Sequence, residues 1–352
     1  MKKITKILAL ACLILVGTPG LSHASDVVNY NDSNLDDILI KNGIKVDMNK
    51  VKQRREALIK QNPGLKPDLK VVEKVKENKP IVYPKTAVYG NVVDISEHQN
   101  PVAIDYDKFA KDIDGAILRS SITTFDEDAE TGEKTYYLRH DLTVDRHYQN
   151  LNARNVPIGF YHYSRATNVA EATMEANYVL DYVRGKNVSL PIFLDMEDNM
   201  RQAKVSREEL SSVASTFLDI MKRNGYVAGI YSYPHFAKTH LSKEVRNRGN
   251  FWIADYDGVG FTGYTDTEFD IWQYTHKGRV DGYSGNLDKN ALYRDYPLLI
   301  KGKSRKNYDE LIQEIIDGHW SFGKEREKRL RYAGYNYQKV QSDVDKKLRL
   351  KK

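Results

Sequence analysis

A regular alternation of short apolar runs and longer amphipathic stretches fills the middle of this 352-residue chain. Eight of the apolar runs have the length and composition of strands: 91–96, 115–121, 157–163, 190–197, 227–233, 250–256, 270–275 and 286–293. Five amphipathic stretches between the first six runs are typical of helices: 105–112, 141–155, 168–185, 206–224 and 234–248. Strands that alternate with helices form a parallel sheet. We therefore predict an α/β fold whose eight strands close into a barrel with an incomplete coat of helices.

Two local signals refine this prediction. Ser206 followed by Glu209 has the spacing of a capping box, and Gly225 is placed to end the same helix. The alternative architecture is a doubly wound open sheet, which would carry a Gly-rich phosphate loop after its first strand. No such loop follows residues 91–96, so the barrel is favoured.

The fourth apolar run, PIFLDMEDN (191–199), ends in carboxylates. Side chains alternate along a strand, so Asp195 and Glu197 point to one side and Asp198 points away. The first run repeats the pattern with Asp94. In a parallel barrel the carboxyl ends of the strands carry the active site, so these acids converge there. Crowded carboxylates raise one pKa, and an acid paired with a base is what glycosidic cleavage requires.

Aromatic residues gather in the same strand-end segments. They are Tyr161, Tyr163, Tyr231, Tyr233, Trp252, Tyr256, Trp272 and Tyr274. Tyrosine offers a flat face to a sugar ring and a hydroxyl to its polar edge, so the set suggests a carbohydrate site. The alternative is that these side chains are ordinary core and rim residues of the barrel.

Other chemistries leave weaker signals. Asp195 and Glu197 could hold Ca²⁺ or Mg²⁺ in a metal-dependent hydrolase, but no His-rich spacing supports zinc. A serine hydrolase would carry G-x-S-x-G, which is absent from the sequence. His98 and His162 flank the predicted site and are either structural or functional. We predict no metal and no cofactor.

The N-terminal part of the chain reads as a leader and a spacer. Residues 1–24 place three lysines before a short apolar core and end in small residues, as in a secretory signal peptide. A membrane anchor and a lipoprotein cleavage at Cys12 are the alternatives. Cys12 is the only cysteine, so the mature chain would have no disulfide and no thiol nucleophile. Residues 25–86 are polar, and we predict a spacer or extension with two helices.

The C-terminal part is basic and separate in pattern. Residues 301–352 hold 15 Lys and Arg against 8 Asp and Glu, whereas residues 25–300 are mildly acidic. Three short helical patterns surround Trp320 and Phe322 and indicate a small module. Basic segments seek anions, and for a secreted protein an anionic cell surface is a better partner than nucleic acid.

Seven motifs in order resemble one known family, the Chalaropsis-type lysozymes of glycoside hydrolase family 25. They are VVDISEHQ, GFYHY, FLDMED, IYSY, WIADY, WQYT and LDKN, within residues 88–300. The resemblance implies a TIM-like, flattened (β/α)5β3 barrel. It also implies an N-acetylmuramidase that cuts the β-1,4 bond between N-acetylmuramic acid and N-acetylglucosamine in peptidoglycan.

The same resemblance implies site residues. Glu197 would protonate the leaving oxygen, with Asp94, Asp195 and Asp288 as supporting acids. The predicted substrate-binding residues are Tyr161, Tyr231, Trp252, Trp272, Tyr274 and Arg119. The second carboxylate could act as base or nucleophile. We favour attack by the substrate's own acetamido group, oriented by Asp195.

The C-terminal motif IIDGHWSFGKEREKRLRYAGYNYQKVQSDVD resembles one CW_7 cell-wall-binding repeat. The resemblance implies a muropeptide site at Asp317, Trp320, Arg326 and Tyr335. We predict a catalytic barrel over 87–300 and a wall-binding repeat over 304–349. The chain would be a secreted, wall-associated monomer that binds peptidoglycan strands and anionic wall polymers, with no membrane span after signal cleavage. The alternative function is a catalytically weak, lectin-like wall protein.

Overall fold

The computed structural model describes residues 87–256 and 269–349. The predicted signal peptide, the spacer and its two helices lie outside the described residues. Among the helices that are described, none is both long and apolar enough to cross a bilayer.

The described chain forms a closed eight-stranded barrel with one additional strand. The strands are β1 (Tyr89–Ile95), β2 (Gly115–Glu127), β3 (Lys134–His140), β4 (Ile158–Tyr163), β5 (Ile192–Asp195), β6 (Ala228–Ser232), β7 (Asn250–Ala254), β8 (Ile271–Val280) and β9 (Tyr283–Leu292). Pairing of β1 with both β2 and β9 closes the barrel. All its neighbours pair in parallel except β9, which is antiparallel to β8 and β1. The predicted barrel is confirmed.

The helices of the barrel match the predicted positions closely. They are α1 (Tyr106–Asp112), α2 (Val144–Ala153), α3 (Val169–Val183), α4 (Arg207–Arg223), α5 (Pro234–His240) and α6 (Lys243–Arg246). The capping box of Ser206 and Glu209 is present at the start of α4. The fifth predicted helix is two helices, because the Ser242 side chain accepts the Val245 N–H and begins a new helix.

The strand β3 is absent from the sequence prediction. It pairs antiparallel with the long β2 from Ser121 opposite His140 to Glu127 opposite Lys134, which forms a hairpin arm beyond the barrel rim. The turn is closed by Asp128, which accepts the Thr131 N–H, and by Gly132 at a φ of 69°. Because the arm leaves the barrel, its strands lack the apolar run that marks a barrel strand.

Strand alternation divides the apolar residues into two clusters. One lies between the sheet and the helices and includes Val93, Leu118 and Leu194. The other begins with the inward side chains Ile117 and Phe193 and fills the barrel interior. The two clusters are what one expects for a barrel whose inward and outward faces are both covered.

Four C-terminal helices close the amino-terminal end of the barrel, and the last three of them form the small predicted module. They are α7 (Tyr296–Lys301), α8 (Tyr308–Ile316), α9 (Gly323–Ala333) and α10 (Tyr337–Arg349). Leu311, Ile315 and Val340 belong to the same apolar cluster as the barrel interior. Tyr89 at the start of β1 and Tyr335 of the module both donate to Asp295 at 2.9 Å. The module is therefore built onto the barrel floor.

Candidate active site

Four carboxylic side chains meet at the carboxyl-terminal mouth of the barrel. Asp195 is the last residue of β5, and Glu197 follows two residues later. Asp94 lies on β1 directly opposite Asp288 on β9. The sequence prediction brought these four residues together, and the structure places them in one site. Asp198 faces away, as predicted, and forms an ion pair with Arg165 at 2.9 Å.

The carboxylates of this site hold protons at unusually high pH. Burial, with the negative charges of Asp94 and Asp198, raises the pKa of Glu197 to about 7. Burial, with the charges of Asp94 and Glu197, raises the pKa of Asp288 to about 8. Burial raises the pKa of Asp94 to only about 6, because two amide side chains donate to it. Near neutral pH the site therefore combines a mostly ionised Asp94 with a Glu197 that is about half protonated.

Asp195 is the most deeply buried of the four acids. Burial and the charge of Glu197 raise its pKa well above the usual range, against the opposing field of Arg119. Its Oδ1 atom is buried and has no hydrogen-bond partner among the described residues. A buried acceptor without a donor costs free energy, so this oxygen is suited to accept an N–H group from a ligand.

The aromatic residues divide between the mouth and the floor of the site. Tyr161 and Tyr231 lie next to the acids on β4 and β6, in register with the strand that carries Asp195. Trp252 lies beneath them, 1% exposed, with its ring centroid 4.5 Å from that of Tyr231. The prediction that Trp252 contacts substrate is wrong, because the two tyrosines cover its indole.

Two further predicted substrate residues lie on the wrong side of the sheet. Ile271 and Gln273 point into the barrel, so Trp272 and Tyr274 point outward along the same strand. Trp272 is 2% exposed in the outer core and donates its indole N–H to the Asp255 carbonyl at 2.9 Å. The Tyr274 hydroxyl donates to the Gly90 carbonyl at 3.0 Å. The prediction that these two rings bind substrate is wrong.

Arg119 is likewise occupied inside the protein. Its guanidinium lies 2.8 Å from both Glu97 and Asp141, and its side chain is almost fully buried. Arg139 of the hairpin arm also contacts Glu97 at 2.8 Å. Arg119 therefore ties the loop after β1 to the base of the arm and acts on the site through its field on Asp195, so the predicted substrate contact is wrong.

The two histidines near the site have different surroundings. His98 is exposed on the loop after β1. His162 lies between Ser121, at 2.8 Å, and Glu175, at 3.4 Å. This order resembles a catalytic triad, but all three residues are buried between the sheet and α3 and have no access to substrate. The structural interpretation of His162 is therefore favoured.

Sequence reasoning missed the polar residues that support the acids. Gln273 and Asn290 donate to Asp94 at 2.9 and 2.8 Å. Tyr163, at the end of β4, lies near Asp195 and Glu197 and beneath the Arg165 guanidinium, 4.8 Å from its ring centroid. Inward-facing amides on β8 and β9 were the available signal, since barrel interiors are normally apolar.

The predicted residues of the wall module also divide into two sets. Trp320 is 1% exposed and donates to Glu314 at 3.0 Å, and Tyr335 is buried against Asp295. Direct contact of these two rings with a muropeptide is therefore a wrong prediction. Asp317 is exposed, and Arg326 is half-buried with its guanidinium over the Phe322 ring. Phe322, which the site prediction did not include, is an aromatic residue of the repeat with 70% exposure.

Within residues 87–256 and 269–349, no three His, Cys, Asp or Glu side chains are arranged to hold a metal ion.

Comparisons with known proteins match two stretches of this chain. Residues 93–283, more than half of the chain, match the model of Glycosyl hydrolases family 25, and residues 309–348 match the CW_7 repeat. The lysozyme of Streptococcus phage Cp-7 is 30% identical over 265 residues, which cover 72% of this chain and 68% of that protein. The autolytic lysozyme of Clostridium acetobutylicum is 29% identical over 166 residues, 45% of this chain and 48% of that protein.

Among solved structures, the modular autolysin LytC of Streptococcus pneumoniae aligns with a TM-score of 0.48 at 23% identity. The alignment covers 58% of this chain and 46% of that one. The chain spans about two thirds of the phage lysozyme and about half of the autolytic lysozyme. On the family match and the phage relative, the chain belongs to family 25 of the glycosyl hydrolases, as a glycoside hydrolase of the lysozyme type with a C-terminal CW_7 repeat.

Proposed function

We propose that this chain is a secreted N-acetylmuramidase that cleaves the β-1,4 bond between N-acetylmuramic acid and N-acetylglucosamine in peptidoglycan. The observation that carries the proposal is the pairing at the barrel mouth of Glu197, which can still donate a proton near neutral pH, with an ionised Asp94. Glu197, with a pKa of about 7, sits beside Asp94, with a pKa of about 6. Both family membership and the lysozyme relatives support this substrate class.

In the proposed first step, Glu197 donates its proton to the glycosidic oxygen as the C1–O bond breaks. The carbonyl oxygen of the substrate's own acetamido group attacks C1 and forms a cyclic oxazolinium ion. Asp195 accepts the acetamido N–H and balances the positive charge that develops there. Its partnerless Oδ1 is the acceptor that supports this role.

In the second step, water attacks C1 and opens the ring, and Glu197 takes the proton from that water. The acetamido group is restored and the product keeps the β configuration. The negative charge of Asp94 favours the protonated form of Glu197 before the first step, and Asp288, with a pKa of about 8, is mostly neutral beside them. A glycosyl–enzyme adduct trapped on Asp195 would contradict substrate assistance.

We propose that the CW_7 repeat contacts the wall through its exposed surface at Phe322, Asp317 and Arg326. Trp320 and Tyr335 hold that surface from below rather than touching the ligand. The excess of Lys and Arg in this region favours anionic wall polymers as additional partners. A second binding surface raises the local concentration of the enzyme on a polymeric substrate.

The test is a digest of purified peptidoglycan by the mature protein, by Glu197→Gln and by Glu208→Gln. Glu208 is exposed on the first turn of α4 and serves as the matched control. Products are reduced with borohydride and their new ends are identified by mass spectrometry. We expect reduced muramic acid ends from the wild type and from Glu208→Gln, and a loss of ~10²- to 10⁴-fold in Glu197→Gln.

Other outcomes would overturn parts of the proposal. Reduced glucosamine ends would identify a glucosaminidase. Wall binding without cleavage would favour the lectin-like alternative. Activity that disappears with EDTA and returns with a divalent cation would favour a metal-dependent hydrolase.

A further inference from the structure

Two amide side chains converge on one oxygen of Asp94. Gln273 Nε2 donates to Asp94 Oδ2 at 2.9 Å, and Asn290 Nδ2 donates to the same oxygen at 2.8 Å. Gln273 comes from β8 and Asn290 from β9, so the two donors reach Asp94 from separate strands. All three side chains are buried. Hydrogen bonds to the charged form of a carboxyl group stabilise that form.

Both amides are held in the orientation that donates. The Gln273 Oε1 atom accepts hydrogen bonds from the Tyr231 hydroxyl at 3.0 Å and the Tyr256 hydroxyl at 2.7 Å. The Asn290 Oδ1 atom accepts the Trp252 indole N–H at 2.8 Å. An indole N–H can only donate, so a flipped Asn290 would place two donors against each other. The residues around the amides therefore decide that Asp94 receives N–H groups and not carbonyl oxygens.

The other groups that face Asp94 are negative or neutral. Glu197 and Asp195 face it from the β5 side, Asp288 from β9, and the hydroxyls of Tyr161, Tyr231 and Tyr256 from β4, β6 and the end of β7. The cation on neighbouring β2, Arg119, contacts Glu97 and Asp141. A cation against Asp94 would cancel its field at Glu197. Neutral amides stabilise the charge of Asp94 and leave that field in place.

We propose that Gln273 and Asn290 are positioning residues that keep Asp94 ionised, and that the charge of Asp94 in turn keeps Glu197 protonated for acid catalysis. This inference rests on the proposed muramidase function. It gives Trp252 and Tyr256 a supporting role, because their N–H and O–H groups orient the two amides.

The test compares pH profiles of kcat/KM for the wild type and Gln273→Met on soluble glycan fragments of peptidoglycan. Methionine keeps the size of the side chain and removes the donor. Without the Gln273 donor the pKa of Asp94 rises. We therefore expect the acidic limb of the kcat/KM profile to move up by about one pH unit. The active form requires an ionised Asp94, so Glu197 still loses its proton beside that charge and the alkaline limb does not move down. The active pH range narrows on its acidic side, and kcat/KM below pH 6 falls by up to about tenfold, as a shift of one pKa unit requires.

The matched control is Tyr296→Phe. It removes a buried hydroxyl that donates to the Asn250 side chain at 2.9 Å at the opposite end of the barrel. This variant should lose stability without moving either limb. Tyr256→Phe is a milder second variant. Tyr256 is 42% exposed, and the substitution removes one hydroxyl that donates to Gln273 Oε1. Its acidic limb should move in the same direction by less.

The outcomes separate the two proposals. If the wild type releases no muramic acid ends, the proposed function fails. If the wild type cleaves, and Gln273→Met and Tyr256→Phe lower the whole profile without moving its limbs, the positioning inference fails and the amides are structural only.

Discussion

Buried carboxylates occupy both ends of this barrel, and their surroundings differ. At the mouth, four acids crowd together, and Asp195 Oδ1 has no donor among the described residues. At the floor, Asp295 is fully buried and accepts hydrogen bonds from Tyr89, Tyr335, Ser304 and the Leu298 N–H. A satisfied buried acid stabilises a fold, whereas an unsatisfied one is suited to bind a ligand or transfer a proton.

The difference also concerns which parts of the chain meet. The mouth acids come from strands of the barrel alone. The donors to Asp295 come from β1, from the segment after α7 and from the wall module, so this one side chain joins the barrel to the CW_7 repeat. The repeat is thus part of the folded body, and the surface that we propose for wall contact belongs to the module at the barrel floor.

The largest expected effect is at the mouth. In Asp195→Asn the negative charge that balances the oxazolinium ion is removed, so we expect kcat to fall by ~10²- to 10³-fold. The folded protein should be about as stable as the wild type at pH 7, because the raised pKa keeps Asp195 protonated there and the amide replaces a neutral group. Steady-state kinetics and urea denaturation measure the two quantities. A stability loss with unchanged kcat would remove the functional interpretation of Asp195.

The same substitution at the floor should do the opposite. In Asp295→Asn an amide replaces the carboxylate, and its NH2 group is placed against hydroxyl groups that donated hydrogen bonds to the carboxylate. We therefore expect the free energy of unfolding to fall by about 3 kcal/mol. The kcat of the folded protein should stay within twofold of the wild type. Urea denaturation at pH 7, with activity measured on the same samples, tests this. A large fall in kcat at unchanged stability would contradict the division between the two ends.

A smaller effect concerns the pH dependence of stability. The pKa of Asp288 is raised to about 8, above its unfolded value of about 4. The folded state then holds the proton more tightly, so this group lowers stability as pH rises from about 4 to 8. We expect the stability of Asp288→Asn relative to the wild type to rise between pH 4 and pH 8, by about 1.4 kcal/mol for each unit by which the folded pKa exceeds the unfolded one. Equal stability at both pH values would contradict the raised pKa.

The smallest effect is expected on the module surface. Phe322→Ala should weaken sedimentation with purified walls several-fold, since an exposed aromatic ring contributes about 1–2 kcal/mol to such a contact. Activity on soluble glycan fragments should not change. Leu142→Ala, at another exposed apolar side chain with 80% exposure, is the control. Equal loss of wall binding in both variants would show that the module surface is not specific.

The sequence predicted the parts of this molecule that depend on local pattern. Apolar runs and amphipathic stretches located the barrel strands and most helices, and the acids at strand ends located Asp94, Asp195 and Glu197. Asp288 was implied only by the family resemblance. These predictions hold because strand alternation and the carboxyl-end rule act on neighbouring residues. The β3 arm was missed because its residues do not serve a barrel core.

The tertiary structure alone decided which aromatic and polar residues reach the site. The three tryptophans show this. Trp252 lies under the acids, Trp272 faces the helices, and Trp320 is buried in the module. The sequence by itself predicted that Asp94, Asp195 and Glu197 converge, because they lie at the ends of parallel strands. Which side chains cover, orient or hydrogen-bond them depends on inward or outward register and on contacts between distant segments, such as Gln273 with Asp94, and only the closed barrel sets these.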